Sequence, residues 1–250
     1  MSTLETNKNH CKDSIFMIQK PIISIRYLQR AVAISAALLL ATGASQGGTL
    51  YVKTTGNDAS SGASWALAKQ TITNAMAAAV AGDQLWVASG TYTQLVTLKP
   101  SVAMYGGFNG TETSLAQRNF GLNIAILDGR SQGPVVTISN AGQDTRVDGF
   151  IITGGSGING AGIVIDVAAP TIMNNGITHN TSNGGAGAGI FINGYLVVSN
   201  AHPIIFGNNI YQNISLGGNG DGAGIAMEGS SPLIGFNHIF GNLAARNSGA

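Results

Sequence analysis

Two carboxylates and a guanidinium at alternating positions form the best candidate for chemistry in this sequence. Asp144, Arg146 and Asp148 would share one face of an extended chain, because side chains alternate along a strand. Carboxylates clustered on such a face can hold Ca²⁺ or act as general acid and base. A structural interpretation is favoured, with Asp148 before Gly149 at a turn and Asp144 and Arg146 as an exposed pair. We therefore expect no catalytic residue, and these three are the candidates if catalysis occurs.

The elements that would position these residues are indicated by three copies of one pattern in the last third of the chain. Each copy contains Gly-Ala-Gly and a following proline, from which Ile, Asn, Ile and Asn follow at offsets +2, +5, +7 and +10. The prolines are Pro170, Pro203 and Pro232. A repeat of this length is typical of a solenoid. Six extra residues before Pro203, within 194–202, predict a surface loop.

Each copy predicts three short β-strands in one coil. β-Branched residues recur at period two between Gly, Pro and Asn, and no segment is long enough for a helix. Three strands cannot bury their inner faces alone, so successive coils must stack with parallel pairing. The expected fold class is all-β, a right-handed parallel β-helix (solenoid) with a short N-terminal capping α-helix. Stacking predicts three isoleucine columns: Ile163, Ile190 and Ile225; Ile172, Ile205 and Ile234; Ile177, Ile210 and Ile239.

An asparagine recurs beside these isoleucines in every copy. Asn175, Asn208 and Asn237 occupy equivalent positions at a strand end. Asparagine tolerates the left-handed backbone conformation and can bond its neighbours in a stack. The column is interpreted as structural, and ligand binding by these side chains is the less favoured alternative.

The region before the repeats predicts a cap for the first coil. Apolar residues at helical spacing indicate a short helix over 71–80, with Thr71 as N-cap and Gly82 as the stop. This helix would cover the open end of the first coil. We expect an N-terminal cap and first coil over 48–100 and further coils over 101–250. The pattern breaks off within a copy, without a polar cap, which predicts a truncated C-terminus.

Residues 1–44 predict a signal peptide. Basic residues precede the apolar run 31–41, and small residues follow it as a cleavage site. Met17 is a plausible alternative start, because the residues before it do not resemble a signal-peptide n-region. The apolar run is shorter than the ~18 residues that a membrane span needs, so an uncleaved anchor is the less favoured alternative. We expect a secreted or cell-surface protein without a transmembrane helix in its mature part.

The charge balance after this segment argues against nucleic acid and anionic lipid as partners. Beyond residue 45 the chain has seven Lys and Arg against nine Asp and Glu, a net charge of −2. No basic stripe remains for nucleic acid or anionic lipid. The single cysteine, Cys11, lies in the predicted signal peptide, so the mature protein would have no disulfide.

Two motifs after the predicted signal peptide carry a family resemblance. Residues 51–58 read YVKTTGND and residues 81–92 read AGDQLWVASGTY. Together they resemble the opening of bacterial exported right-handed parallel β-helix proteins of the pectate-lyase-like superfamily. The later Gly-x-Gly-Ile and Asn-x-Ile-x-x-Asn copies are similar to the repeats of polymorphic outer-membrane proteins. The resemblance implies an exported surface protein, and some of these relatives cleave or bind acidic polysaccharides.

Three classes of function follow from these observations, one of them a purely structural spacer that carries another domain outward. The favoured one is an exported non-catalytic scaffold, secreted or displayed at the cell surface, that contacts polysaccharides or surface proteins. The alternative is a polysaccharide lyase or glycoside hydrolase acting on acidic polysaccharide. Ca²⁺ would be needed only by the lyase, and otherwise we expect no cofactor or metal. From Gly160 onward the acidic residues are Asp166, Asp221 and Glu228 alone, which favours the scaffold.

Overall fold

Stacked coils of parallel strands make up the part of the chain that this computed structural model describes, residues 47–194, 202–217 and 222–245. All of the strand pairs among these residues are parallel, as the all-β solenoid requires. The handedness of the coil stays a prediction. The predicted signal peptide and the predicted C-terminal break in the pattern lie outside the described residues.

The first two coils follow an N-terminal strand and a helix. A strand, a 3₁₀ turn and a helix come first: β1 (Thr49–Val52), the turn (Trp65–Leu67) and α1 (Ile72–Ala78). Coil 1 contains β2 (Gln84–Ala88), β3 (Gly90–Thr93) and β4 (Val96–Leu98). Coil 2 contains β5 (Ala103–Phe108), a 3₁₀ turn (Leu115–Gln117), β6 (Ala125–Asp128) and β7 (Val136–Ser139).

The later coils contain a fourth strand that the sequence did not predict. Coil 3 contains β8 (Arg146–Asp148), β9 (Phe150–Thr153), β10 (Ser156–Gly157) and β11 (Ile163–Asp166). Coil 4 contains β12 (Thr171–Met173), β13 (Gly176–Thr178), β14 (Thr181–Ser182) and β15 (Ile190–Asn193). Coil 5 contains β16 (Ile204–Phe206), β17 (Asn209–Tyr211), β18 (Ile214–Ser215) and β19 (Ile225–Glu228). The last described coil contains β20 (Leu233–Gly235), β21 (His238–Phe240) and β22 (Leu243–Ala244).

Equivalent strands of successive coils form four sheets. Sheet 1 runs β1-β2-β5-β8-β12-β16-β20, and sheet 2 runs β3-β6-β9-β13-β17-β21. The extra two-residue strands form sheet 3, β10-β14-β18-β22, and sheet 4 runs β4-β7-β11-β15-β19. The expectation of three strands per coil was therefore wrong for these coils, because a two-residue strand is too short to produce a period-two pattern.

The structure brings the predicted isoleucine columns into register in the interior. Ile190 pairs with both Ile163 and Ile225, Ile205 with Ile172 and Ile234, and Ile210 with Ile177 and Ile239. The columns are fully buried in coils 4 and 5 on sheets 1 and 2. In the last described coil Ile234 and Ile239 are 39% and 46% exposed, since no described coil packs beyond them.

The asparagines form a hydrogen-bonded ladder at the corner between sheets 1 and 2. The Nδ2 of Asn175 donates to Oδ1 of Asn208 at 3.1 Å, and the Nδ2 of Asn208 donates to Oδ1 of Asn237 at 2.9 Å. The same nitrogen atoms donate to main-chain carbonyls of the preceding coil, those of Val147 and Ile172. Each ladder oxygen also accepts a main-chain N–H from the coil before it.

A second ladder, which the repeat also contains, lies at the next corner. The Nδ2 of Asn180 donates to Asn213 at 3.0 Å, and the Nδ2 of Asn213 donates to Asn242 at 2.9 Å. With two corners held in this way, coil 4, coil 5 and the last described coil have inward-facing polar side chains where the strands end. These side chains satisfy backbone groups that would otherwise be buried without partners.

The left-handed backbone conformation belongs to the residue before each ladder asparagine, not to the asparagine itself. At the first corner φ is +55° at Asn174, +66° at Gly207 and +55° at Phe236. The conformational argument made from the sequence therefore assigned this role to the wrong residue. Asn175 and Asn208 lie at these corners because their amides bond in the buried interior.

Helix α1 begins where the sequence predicts and ends earlier. The Thr71 hydroxyl caps it by accepting the Asn74 N–H at 3.2 Å. The helix ends at Ala78 because Ala79 is already extended, with φ −66° and ψ 146°, as the chain turns towards β2. Its buried residues Ile72, Ala75 and Met76 join the core, and the helix contacts β1, β2 and β4 at the start of the stack. Among the described residues no helix is long and apolar enough to cross a membrane.

Replacing one ladder amide tests how much the corners contribute. We expect Asn208→Ala to lower the free energy of unfolding by about 2 to 4 kcal/mol, because it leaves buried N–H and carbonyl groups of the neighbouring coils without partners. Urea titration followed by circular dichroism measures the change. The control is Asn209→Ala at the adjacent exposed position, where we expect a change within about 0.5 kcal/mol. Equal midpoints for the two variants would show that the ladder adds no stability.

Candidate functional site

The structure separates Asp144 from the other two residues that the sequence grouped as a candidate site. Arg146 and Asp148 lie on β8, where Arg146 Nη1 is 3.5 Å from Asp148 Oδ2. Asp144 lies in the preceding turn, exposed, and forms no ion pair with Arg146 among the described residues. The expected exposed pair of Asp144 and Arg146 is therefore wrong. Asp148 is the last residue of β8 and does precede a bend at Gly149, where φ is +86°.

Arg118 is the main partner of Asp148, and sequence reasoning missed it. Its Nη2 is 2.8 Å from Asp148 Oδ1, and its Nη1 donates to the main-chain oxygens of Gly106 and Asp148. The guanidinium carbon lies 5.1 Å from the Tyr105 ring centroid and 5.4 Å from that of Phe120. Arg118 thus connects the 109–124 loop, between β5 and β6, to the outer face of sheet 1 by an ion pair and by cation–π contacts.

The carboxylate of Asp148 is fully engaged. Besides Arg118 and Arg146, the Nδ2 of Asn174 donates to Asp148 Oδ1 at 2.9 Å, and only 4% of the Asp148 side chain is exposed. A substrate would have to displace these donors to reach the carboxylate. The arrangement can hold the 109–124 loop against the coils, and it offers no free acid or base.

A second carboxylate shapes the start of the same loop. Glu112 accepts main-chain N–H bonds from Asn109, Gly110 and Thr111 at 2.7 to 3.0 Å. Burial by itself would raise the pKa of Glu112, but these hydrogen bonds to the charged form outweigh it and the pKa is lowered. The Trp65 indole donates to the Glu112 main-chain oxygen at 2.9 Å, which fixes the loop to the N-terminal region.

The 109–124 loop forms one end of a groove on the outside of the coils, at the corner between sheets 1 and 2. The groove has a volume of about 290 Å³ and crosses coils 3, 4 and 5. Phe120 and Ile124 line it on the loop side, and Asn209 and Tyr211 line it at the coil 5 end. It is the strongest candidate for a binding site among the described residues.

Glycine creates the depression in the floor of this groove. On the outer face of sheet 2, Gly176 of coil 4 lies between Ile151 of coil 3 and Asn209 of coil 5. A Cβ atom at Gly176 would meet only Ile151 Cγ1, at an ordinary 3.6 Å, so the backbone does not require glycine here. The missing side chain leaves space between its neighbours along the stack.

The groove combines aromatic surface with amide and hydroxyl groups that have free hydrogen-bonding capacity. Phe120 is 42% exposed, and the Tyr211 ring stacks on Phe240 with centroids 5.1 Å apart. Among the described residues, no hydrogen bond engages the Asn174 Oδ1, the Asn209 side chain or the Tyr211 hydroxyl. None of the residues that line the groove is Asp, Glu, Lys, Arg or His.

No arrangement suited to a metal ion is present in the parts of the chain that the structure describes. There, no group of three or more His, Cys, Asp or Glu side chains converges. Asp166, one of the few late acidic residues, accepts a hydrogen bond from Asn193 Nδ2 at 2.7 Å on the outer edge of sheet 4.

The fold and the groove define a parallel β-helix protein with a neutral outer groove at one corner of its coils. Residues 54–249 match the family model described as a protein of unknown function, DUF1565, a family associated with β-helix proteins. This match covers more than half of the chain, so the chain belongs to that family. Searches of curated proteins and of solved structures found no match.

The ion pair that holds the loop can be tested by removing its cation. We expect Arg118→Gln to lower the free energy of unfolding by about 2 to 4 kcal/mol, because Asp148 stays buried with its main partner lost. The matched control is Arg130→Gln, since Arg130 is 65% exposed and 3.8 Å from Asp128, and we expect about 0.5 kcal/mol or less there. Urea titration gives both values. A smaller effect at Arg118 than at Arg130 would contradict a structural role.

Limited proteolysis locates the change caused by Arg118→Gln. We expect faster cleavage within 109–124 than in the unchanged protein, because the loop loses its attachment to β8. Cleavage rates in this loop that match the unchanged protein would show that Arg118 does not hold it.

Proposed function

We propose that this protein is an exported, non-catalytic β-helix scaffold that binds glycans on its outer surface, secreted or at the cell surface. The observation that carries the proposal is the groove over coils 3 to 5. Its exposed Phe120 ring and half-buried Tyr211 ring lie with the Asn209 amide and the Tyr211 hydroxyl, which have no hydrogen-bond partner among the described residues. Surface proteins are the alternative class of partner.

The groove chemistry suits a sugar. A pyranose ring has faces of C–H groups that pack on aromatic rings, and its edge carries hydroxyls that both donate and accept hydrogen bonds. Phe120 and Tyr211 offer ring surface, and Asn209 offers a donor and an acceptor in one side chain. Ligand sites commonly combine apolar lining with a few polar groups that orient the ligand.

The enzyme alternative has less support. A polysaccharide lyase or glycoside hydrolase needs carboxylates that can reach its substrate, and hydrolases use two of them. Asp148 is enclosed by Arg118, Arg146 and Asn174, and Asp144 stands apart from it. The resemblance to the pectate-lyase-like superfamily and to polymorphic outer-membrane proteins therefore supports export and shape more than catalysis.

Export can be tested by the N-terminus of the product. We expect the full chain, expressed in a bacterial host, to appear outside the cytoplasm with Ser45 as its first residue, because the apolar run 31–41 is followed by a small-residue cleavage site. N-terminal sequencing identifies the cleavage point. The control Leu39→Arg places a charge in the apolar run and should keep the chain unprocessed in the cytoplasm. Recovery of exported protein with residues 17–44 still attached would contradict cleavage.

Glycan binding can be tested on an array of immobilised neutral and acidic glycans. We expect the purified protein to bind some of them saturably, and we expect urea-unfolded protein to lose this binding. Product formation from polygalacturonate with Ca²⁺ is measured in parallel and should stay at background. Cleavage would contradict the non-catalytic scaffold, and absence of all glycan binding would favour a protein partner instead.

A further inference from the structure

We infer that the groove over coils 3 to 5 binds a short segment of uncharged glycan, not an acidic polysaccharide. This inference rests on the proposed function and narrows its ligand class. The lining has no cationic side chain, so a bound carboxylate would lose water without gaining an opposite charge. A neutral sugar loses less hydration and can replace it with hydrogen bonds to amides and a hydroxyl.

The two arginines beside the loop end of the groove are already committed. Arg118 and Arg146 both point to Asp148, and Arg118 also donates to two main-chain oxygens and lies against two aromatic rings. Recruiting Arg118 to an anionic ligand would leave the buried Asp148 carboxylate with only Asn174 and the longer 3.5 Å contact to Arg146, which is costly. Arg118 is therefore engaged by the protein itself before any ligand arrives.

The length and shape of the groove fit a few sugar rings. Neighbouring strands lie about 4.8 Å apart, so a path over three coils is about 10 Å long. Phe120 stands near one end of this path and Tyr211 at the other, with the depression at Gly176 between them. A short oligosaccharide lying along the stack would pack on both rings and cover the floor.

Three of the side chains that line the groove, Asn174, Tyr211 and Phe120, are held in place before a ligand binds. Asn174 is fixed by its hydrogen bond to Asp148, which leaves its Oδ1 as an acceptor. Tyr211 is stacked on Phe240, and the Phe120 ring packs on the Arg118 guanidinium. Little side-chain freedom is lost on binding, which favours affinity for a neutral ligand that offers no strong electrostatic attraction.

Filling the floor tests the inference. Threonine at position 176 suits a strand, and its Cβ has room beside Ile151, so we expect Gly176→Thr to fold while its side chain occupies the depression. Calorimetry measures binding of maltotriose, cellotriose and xylotriose as neutral probes and of trigalacturonate as the acidic probe. We expect binding of at least one neutral probe, weakened about tenfold or more by Gly176→Thr, as misplaced atoms in a ligand site typically cause.

The matched control adds the same side chain outside the groove. Gly235→Thr lies on the outer face of sheet 1, where a Cβ would meet the Phe206 ring at 3.4 Å, and it should leave binding unchanged. Tighter binding of trigalacturonate than of every neutral probe, or neutral binding that Gly176→Thr does not weaken, would overturn the inference and leave glycan binding intact. Failure of the protein to bind any array glycan or any of these probes would overturn the proposed function as well.

Discussion

The whole stack depends on completing backbone hydrogen bonds at the corners of the coils. Strands pair in parallel along each sheet, but N–H and C=O groups at a corner have no strand partner there. Asn175 and Asn208 supply the missing bonds, because each buried amide contacts main chain of the preceding coil and the amide of the next coil. A coil in the wrong register would leave several such groups unpaired, at about 1 to 3 kcal/mol each. The ladders therefore set register as well as stability.

Fixed interior positions leave the outer positions free to differ between coils. Gly176, Asn209 and His238 share one outer column of sheet 2, although their side chains have little in common. The 109–124 loop is a larger difference of the same kind, since it interrupts coil 2 alone among the described coils. Function in such a fold must be sought in these departures from the repeat, because the repeated residues are used by the stack itself.

The sequence predicts the stacking and not the site, because the stacking follows from repeated residues and the site is built from residues outside the repeat. The Ile and Asn residues lie at equal offsets from Pro203 and from its equivalents in the other copies. These offsets are sufficient to align the coils, because hydrogen bonds at the corners allow only one register. Arg118 is 30 residues from Asp148 in a loop without a counterpart in the repeats, so no period leads to their contact. The groove depends on a missing side chain at Gly176, and a pattern of apolar and turn residues treats that glycine as a turn. The sequence signal that could have located the groove is that equivalent outer positions of successive coils carry very different side chains, as at Gly176 and Asn209.

The position of the groove follows from where the repeat is broken. Towards the N-terminus the corner between sheets 1 and 2 meets the 109–124 loop, which Arg118 fastens to β8. Towards the C-terminus the outer columns gain large side chains, with Tyr211 stacked on Phe240. Coil 4, with Gly176 on its outer face, is the low point between these two boundaries. A rigid floor with raised ends selects a ligand by length and surface chemistry. Because no charged side chain lines the groove, hydrogen bonds and ring contacts are what remain to select the ligand.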